Sequence, residues 1–302
     1  MRWKRVFIKE IRILVYGAGV IGSLYAALFS KAGCEVSIYA RGSRLEQLQT
    51  EGLLYEEKRR LEKARVRVIG SLGKDDDYDY ILLAVREHDL HQALSELAEN
   101  CSPTIVTMVN SLERYEVWEE LCGRGRILPA FPGAGGYIEK GVLKARLTPR
   151  AVQPTTFGEI DGRRSLRLSK LAFLFACCKI PYRITEDMHA WQVCHLAMVT
   201  PLARAYYEAE EPLRAGMEKS VMRCAASRLK RNFRQLDRLG IRLSPPQLHL
   251  FRLLPVSVLS VALRPVFQSE FGNFFMYRHA MKAPDEMKGL EKQFYAFLRG
   301  QV

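Results

Sequence analysis

Ile13-Leu-Val-Tyr-Gly17-Ala-Gly19-Val-Ile-Gly22-Ser-Leu-Tyr-Ala-Ala-Leu-Phe-Ser-Lys-Ala-Gly33 is the stretch on which the reading of the fold turns. Ile11 to Tyr16 is a short β-branched run, the pattern of a buried strand, and Ser23 to Ala32 reads as a helix that closes at Gly33. Glu35-Val-Ser-Ile-Tyr-Ala40 comes next as a second strand. Strand, turn, helix and strand make a βαβ unit, which predicts a parallel sheet with a right-handed crossover. Within that unit the three glycines have separate tasks. Gly17 permits the tight turn, Gly19 lets backbone approach a pyrophosphate, and Gly22 lets helix and strand pack closely. The helix start adds unpaired N–H groups and the positive end of its dipole. Gly17, Ala18, Gly19, Val20, Ile21 and Gly22 are therefore candidates for holding a dinucleotide; the competing reading is a purely structural glycine turn.

The end of the second strand decides which dinucleotide. An Asp or Glu there would accept a bond from a free ribose 2′-hydroxyl. This chain has Ala40-Arg41-Gly42-Ser43-Arg44 instead. Guanidinium groups at Arg41 and Arg44, backed by the Ser43 hydroxyl, suit a 2′-phosphate through charge-assisted hydrogen bonds. The expected cofactor is NADP(H), against the alternative of two solvated surface arginines.

Further along, Arg44 to Glu51 reads as a helix, and Leu53 to Tyr55 with Val66 to Ile69 as a polar-tipped hairpin. Asp79 to Val85 and Thr104 to Val109 read as further buried strands around a helix near Leu90 to Leu97. After Leu128 the chain is rich in glycine and β-formers up to Thr156-Phe-Gly-Glu-Ile-Asp161. From Arg163 the pattern becomes helical: Leu166 to Cys178, a short extended piece at Ile180 to Ile184, Asp187 to Tyr207, and a helix carrying Met222, Ala226, Leu229, Phe233 and Leu236, which Pro245 and Pro246 cut off from the C-terminal segments. The fold class expected is α/β: a Rossmann-type doubly wound domain over residues 1–162, then an all-helical domain over 163–302 for substrate binding and dimerisation.

Composition agrees with a folded protein of two domains, since 302 residues, 48% hydrophobic and 26% charged, exclude a disordered or collagen-like chain. Lys+Arg 46 against Asp+Glu 33 leaves a net charge of +13, which favours anionic partners. Six of the basic residues, Arg223, Arg228, Lys230, Arg231, Arg234 and Arg238, sit on one helix opposed there only by Asp237; a solvated face is the simplest reading, and nucleic-acid binding is not expected because interleaved aromatics are missing. Lys74-Asp-Asp-Asp-Tyr-Asp79 reads as a loop before a strand. The seven cysteines, Cys34, Cys101, Cys122, Cys177, Cys178, Cys194 and Cys224, form no C-x-x-C pair and are odd in number, which fits a reducing, cytoplasmic setting and no metal site. Ile13 to Ser30 is uncharged and comes after Arg2, Lys4, Arg5 and Arg12, the outline of a signal anchor; its glycines and the strand after it argue for a buried strand entering a helix, so no membrane insertion is expected.

These residues together resemble the ketopantoate reductase (2-dehydropantoate 2-reductase) family. The resemblance is carried by Ile13 to Gly22, Tyr39-Ala-Arg-Gly-Ser43, Asp77-Tyr-Asp-Tyr-Ile-Leu-Leu-Ala-Val-Arg86, Val109-Asn110-Ser111 and Phe157-Gly158-Glu159. In the second half it thins to Trp191, Thr200-Pro201-Leu202 and His279 to Met287. It implies a Rossmann domain, a helical domain and NADPH-dependent reduction of a small acidic 2-oxo acid or related carbonyl, with roles in pantothenate biosynthesis and a homodimer as one expected assembly. It also implies that Ala84, Val85, Arg86 and Asn110 lie by the cofactor, with Asn110 near the nicotinamide and Glu270 nearest to the family's substrate-binding glutamate.

One departure stands out. The family's general acid is a lysine, and the position that its pattern requires is Gln192, with Leu196 and Thr200 at two asparagine positions of the motif. Hydride addition produces an alkoxide that some donor must stabilise. His195, four residues after Trp191, is the candidate, with an imidazole that ordinarily titrates near neutral pH; a hydrogen-bonded core histidine is the competing reading. His189 reads as a surface residue, and Thr200 and Arg204 as substrate contacts. The alternative to a reductase is an inactive NADP(H)-binding sensor or interaction protein.

Overall fold

The computed structural model describes residues 8–301; Arg2, Lys4 and Arg5 lie outside them. The chain forms two compact units, one of Met1–Asn110 with Arg114–Met188 and one of Ser111–Glu113 with His189–Val302.

In the N-terminal unit the expected βαβ start is present: β1 (Arg12–Tyr16), α1 (Val20–Ala32), β2 (Glu35–Tyr39) and α2 (Gly42–Glu51). Next come β3 (Leu53–Glu57), β4 (Arg60–Ala64) and β5 (Arg67–Ile69), then β6 (Tyr80–Leu83) and α3 (Leu90–Leu97). The remaining elements are β7 (Ile105–Thr107), α4 (Tyr115–Cys122), β8 (Ile127–Phe131), β9 (Ala134–Glu139), β10 (Val142–Leu147), β11 (Thr155–Phe157), α5 (Leu166–Cys177) and β12 (Tyr182–Ile184). Eight strands lie in the order β12-β11-β8-β7-β6-β1-β2-β5, parallel from β8 to β5, with β11 antiparallel to β8. Read from β5 inward, the six parallel strands have the order of a doubly wound dinucleotide fold. Alternation along β1 serves both faces. Ile13 and Val15 join the core containing Tyr25 and Phe29 of α1 and Phe175 of α5, while Tyr16 on the opposite face reaches Glu96 of α3.

The hairpin expected from Leu53 to Ile69 is drawn differently. β3 pairs with β4, from Leu53 opposite Ala64 to Glu57 opposite Arg60, and the two residues at the tip, Lys58 and Arg59, have φ of 49° and 65°. Positive φ at both central positions marks the hairpin turn whose twist matches its strands, here without the usual Asn-Gly. β5 leaves the hairpin and pairs in parallel with β2, Ser37 opposite Arg67. β3 and β4 belong instead to a second sheet, β4-β3-β10-β9.

The division at Met188 rather than Gly162 also corrects the sequence reading. α5 buries Leu168, Leu171, Leu174 and Phe175 in the N-terminal core, and β12 pairs with β11. Arg167 fastens the start of α5, donating to the Ile127 carbonyl at 3.0 Å and pairing both its Nε and a terminal nitrogen with the buried Glu159 carboxylate. The change of grammar at Arg163 marks a change of element and leaves the unit unchanged.

The other unit is helical: α6 (Met188–Glu208), α7 (Lys219–Arg238), α8 (His249–Leu253), α9 (Val256–Gln268), a π-helical stretch over Gly272–Tyr277, α10 (Arg278–Lys282) and α11 (Pro284–Leu298). Val193, Leu196 and Ala197 of α6 pack with Met222, Leu229, Phe233 and Leu236 of α7. Pro201 lies inside α6 and has no N–H for the Ala197 carbonyl; the Asn232 side-chain amide of α7 donates to it instead, at 3.1 Å. The basic face of α7 is largely solvated as expected, with Arg223, Arg231, Arg234 and Arg238 exposed, and two of its arginines also find partners. Arg228 pairs with Glu208, and Arg231 lies 5.9 Å from the Tyr295 ring centroid while donating to its hydroxyl. Among the described residues no helix is long and apolar enough to cross a membrane.

Candidate functional site

The Gly17–Gly22 turn sits between β1 and α1, at the carboxyl edge of the sheet, and the structure separates the roles of its glycines. Gly17 has φ +109°, and a Cβ there would lie 2.5 Å from the Ala84 carbonyl oxygen. A Cβ on Gly22 would lie 1.9 Å from the Gly17 oxygen, so these two glycines satisfy the protein itself. At Gly19 a Cβ would meet nothing within 4 Å. That position has no packing reason to be glycine, and the space beside it opens on a cavity of about 320 Å³. Gly19 caps α1 with no side-chain bond to the helix N–H groups and no acid in the first turn, so the turn offers backbone donors to an anion.

The cavity is lined by Gly17, Ala18, Gly19, Arg41, Arg44 and Val85 of the expected set, together with Tyr16, Tyr39, Ala40 and Ile138. Gly22 lies behind the turn, against Gly17, and Ala84, just after β6, closes against Gly17. Val20 and Ile21 begin α1. Arg86 is exposed just beyond β6. Arg44 is half-buried and faces the turn, donating to the Ala18 carbonyl at 3.1 Å, to Ser23 Oγ at 3.2 Å and to Gln47 at 2.6 Å. Arg41 is more open and pairs with Glu96 at 3.1 Å. Tyr16 stacks on Tyr39 with ring centroids 4.3 Å apart, a platform that sequence reading passed over because both tyrosines looked like ordinary strand residues. Beyond β7, Asn110 Oδ1 is a buried acceptor without a hydrogen-bond partner, and Thr107 Oγ1, on the last residue of β7, is another buried oxygen without one. Open space at Gly19 and uncapped helix donors beside the cavity fit a bound dinucleotide.

In the helical unit His195 lies on α6, stacked on Trp191 with centroids 5.3 Å apart and planes 7° from parallel. Burial, reinforced by the neighbouring His279, pushes its pKa down to about 3. This overturns the expectation of an imidazole titrating near neutrality: His195 is neutral, and it can donate a hydrogen bond but does not carry a standing positive charge. Gln192 is buried. The Thr200 hydroxyl donates to the Leu196 carbonyl at 2.9 Å, and Arg204 pairs with Glu208 and Glu291, so both expected substrate contacts are already engaged within the unit. His189 is half-buried against Phe297 rather than on the open surface. Glu270 is exposed between α9 and the π-helical stretch.

Sheet order, glycine turn and cavity define the N-terminal unit as a Rossmann-type nucleotide-binding fold. Residues 13–162 match the family model described as Ketopantoate reductase PanE/ApbA, and through this unit the chain belongs to the ketopantoate reductase family. It is 35% identical over 188 residues to a 2-dehydropantoate 2-reductase of Mesorhizobium japonicum, covering 54% of this chain and 56% of that one. A 2-dehydropantoate 2-reductase of Archaeoglobus fulgidus is 30% identical over 154 residues, covering 51% and 49%. The match thus spans about half the length of these relatives. Among solved structures, a 2-dehydropantoate 2-reductase from Geobacter metallireducens superposes with a TM-score of 0.67 at 16% identity, covering 97% of this chain and all of that one. D-mandelate dehydrogenase with NADH and anilino(oxo)acetate gives 0.64 at 13% identity, covering 96% and 99%. At such identities these structures share the fold.

Proposed function

We propose that the chain is an NADPH-dependent reductase of a small 2-oxo acid or related carbonyl, of the 2-dehydropantoate 2-reductase type. The observation that carries this reading is the unfilled space at Gly19 beside a lining that includes Arg41. The names of the Mesorhizobium and Archaeoglobus relatives support the reaction class. The NADH in the mandelate dehydrogenase structure supports a nicotinamide dinucleotide, and the preference for the 2′-phosphate rests on this chain's own Arg41 and Arg44.

When bound, the dinucleotide supplies a hydride to the carbonyl carbon. The backbone N–H groups of Gly17 to Gly22 hold the pyrophosphate, and Arg41 holds the 2′-phosphate. Asn110, beyond β7, holds a buried acceptor without a partner where the family pattern places the nicotinamide. Arg86 supplies a fixed positive charge for a phosphate or a substrate carboxylate. Glu270, the acid nearest to the place of the family's substrate-binding glutamate, is the candidate carboxylate for the substrate. His195, held neutral, stabilises the developing alkoxide as a hydrogen-bond donor. The partner is a small acidic carbonyl compound, with a homodimer as the assembly and the cytoplasm as the location.

A second reading, an NADP(H) sensor without turnover, is favoured by Gln192 standing where the family has its lysine. Oxidation of NADPH by purified protein with ketopantoate and a panel of 2-oxo acids, beside His195→Ala, separates the two. Turnover lost in the variant supports the reductase with His195 as donor. Tight NADPH binding with no turnover of any compound supports the sensor, and absence of binding overturns both.

A further inference from the structure

Glu96 has no part in the glycine motif, yet its carboxylate is fastened at the edge of the nucleotide cavity. Oε1 accepts from Arg41 at 3.1 Å and from Gln92 at 2.9 Å, and Oε2 accepts the Tyr16 hydroxyl. Tyr16 and Arg41 both line the cavity, and Tyr16 is stacked on Tyr39. Arg44 is committed to Ala18, Ser23 and Gln47, which leaves Arg41 as the lining guanidinium facing outward. The cation best placed for a 2′-phosphate is therefore already paired with an acid.

Two anions cannot share one guanidinium fork without repulsion, whereas a hydroxyl can donate to the same carboxylate. The side chains of Arg41 and Glu96 are 44% and 36% exposed, so their pair is weak enough for a dianionic phosphate to displace. We propose that Glu96 is a specificity-determining residue: by holding Arg41 through a carboxylate anchored to Tyr16 and Gln92, it lowers the preference for the 2′-phosphorylated dinucleotide and lets the 2′-hydroxyl form compete. This rests on the dinucleotide-binding reading of the cavity. It differs from the usual arrangement in placing the discriminating acid on the helix after β6 rather than at the end of β2.

The test is calorimetric titration of the full chain and of Glu96→Gln with NADPH and NADH, repeated with adenosine 2′,5′-bisphosphate and AMP as probes lacking the nicotinamide. In Glu96→Gln the NADPH-to-NADH affinity ratio rises about tenfold, and the two adenosine probes show the same shift. Tyr16→Phe, which loosens the carboxylate without removing its charge, moves the ratio in the same direction by a smaller factor. It serves as the measurement if Glu96→Gln melts early. An unchanged ratio in both variants, or equal losses for both dinucleotides, overturns the proposal and leaves the dinucleotide reading standing. Failure of the unmodified protein to bind either dinucleotide overturns that reading and the proposal together.

Discussion

The Gly17–Gly22 turn and the Trp191–His195 face of α6 dispose of their polar groups in opposite ways. At the turn, helix donors are left uncapped, Gly19 leaves space, and Arg41 stands partly in solvent. On α6 the imidazole is buried against an indole, and the hydroxyl of Thr200 is spent on the helix backbone. A site that must attract a large anion keeps its donors open. A group that acts on one oxygen atom gains from a dry neighbourhood, where each hydrogen bond is stronger and water does not compete.

The sharpest way to break this contrast is a pair of glycine substitutions. Gly22→Ala places a methyl group against the Gly17 oxygen and destabilises the N-terminal unit by about 3 kcal/mol, seen as a fall in Tm of roughly 6–12 °C. Gly19→Ala leaves Tm nearly unchanged and weakens NADPH binding by about tenfold or more, because the new methyl occupies the ligand's approach. Equal effects on stability from the two changes would remove the argument from open space.

Next in size is Arg41→Asp, which weakens NADPH by about thirtyfold and NADH by less than about threefold in fluorescence titration. Equal losses would remove the 2′-phosphate assignment.

In the helical unit the comparison is sharpened by pH. His195 has its pKa lowered from 6.5 to about 3, so the unfolded chain binds a proton that the folded chain refuses. Its contribution to stability is complete above about 6.5 and is lost as the pH falls towards 3. Between pH 7 and pH 5 this group alone removes about 2 kcal/mol. His279, also lowered by burial and by Lys282 but opposed by Glu286, acts in the same direction. Denaturant melts of His195→Gln at the two pH values show a smaller difference than the parent; an unaltered difference would mean that His195 is hydrated in solution. The smallest effect belongs to Arg231→Ala, which costs about 0.5 kcal/mol through its stacking on Tyr295.

Much of the N-terminal unit could be read from residues because local rules decide it: a strand, three glycines at fixed spacing, a helix and a second strand. Leu90–Leu97 is a helix with the bounds expected of it, since its apolar residues fall on one buried face. The Lys58–Arg59 turn was hidden because neither residue announces positive φ. β4 escaped because Arg60–Ala64 is polar and almost wholly exposed, and β5, legible as a strand, carries in three residues too little alternation to reveal which sheet it joins. Around the site, the glycines and Arg41 were legible, whereas Tyr16, Tyr39 and Glu96 become neighbours only through the crossing of β1, β2 and α3. The shift at His195 likewise depends on burial against residues far along the chain.

The bond from Asn232 to the Ala197 carbonyl makes two distant positions answer for one another under mutation. Asn232→Leu alone strands a buried oxygen, and Pro201→Ala alone supplies that oxygen with a second donor it does not need. In a lineage that had regained a residue with an N–H at 201, the first change would become tolerable, so the order in which the two substitutions arise decides whether each is harmful or neutral.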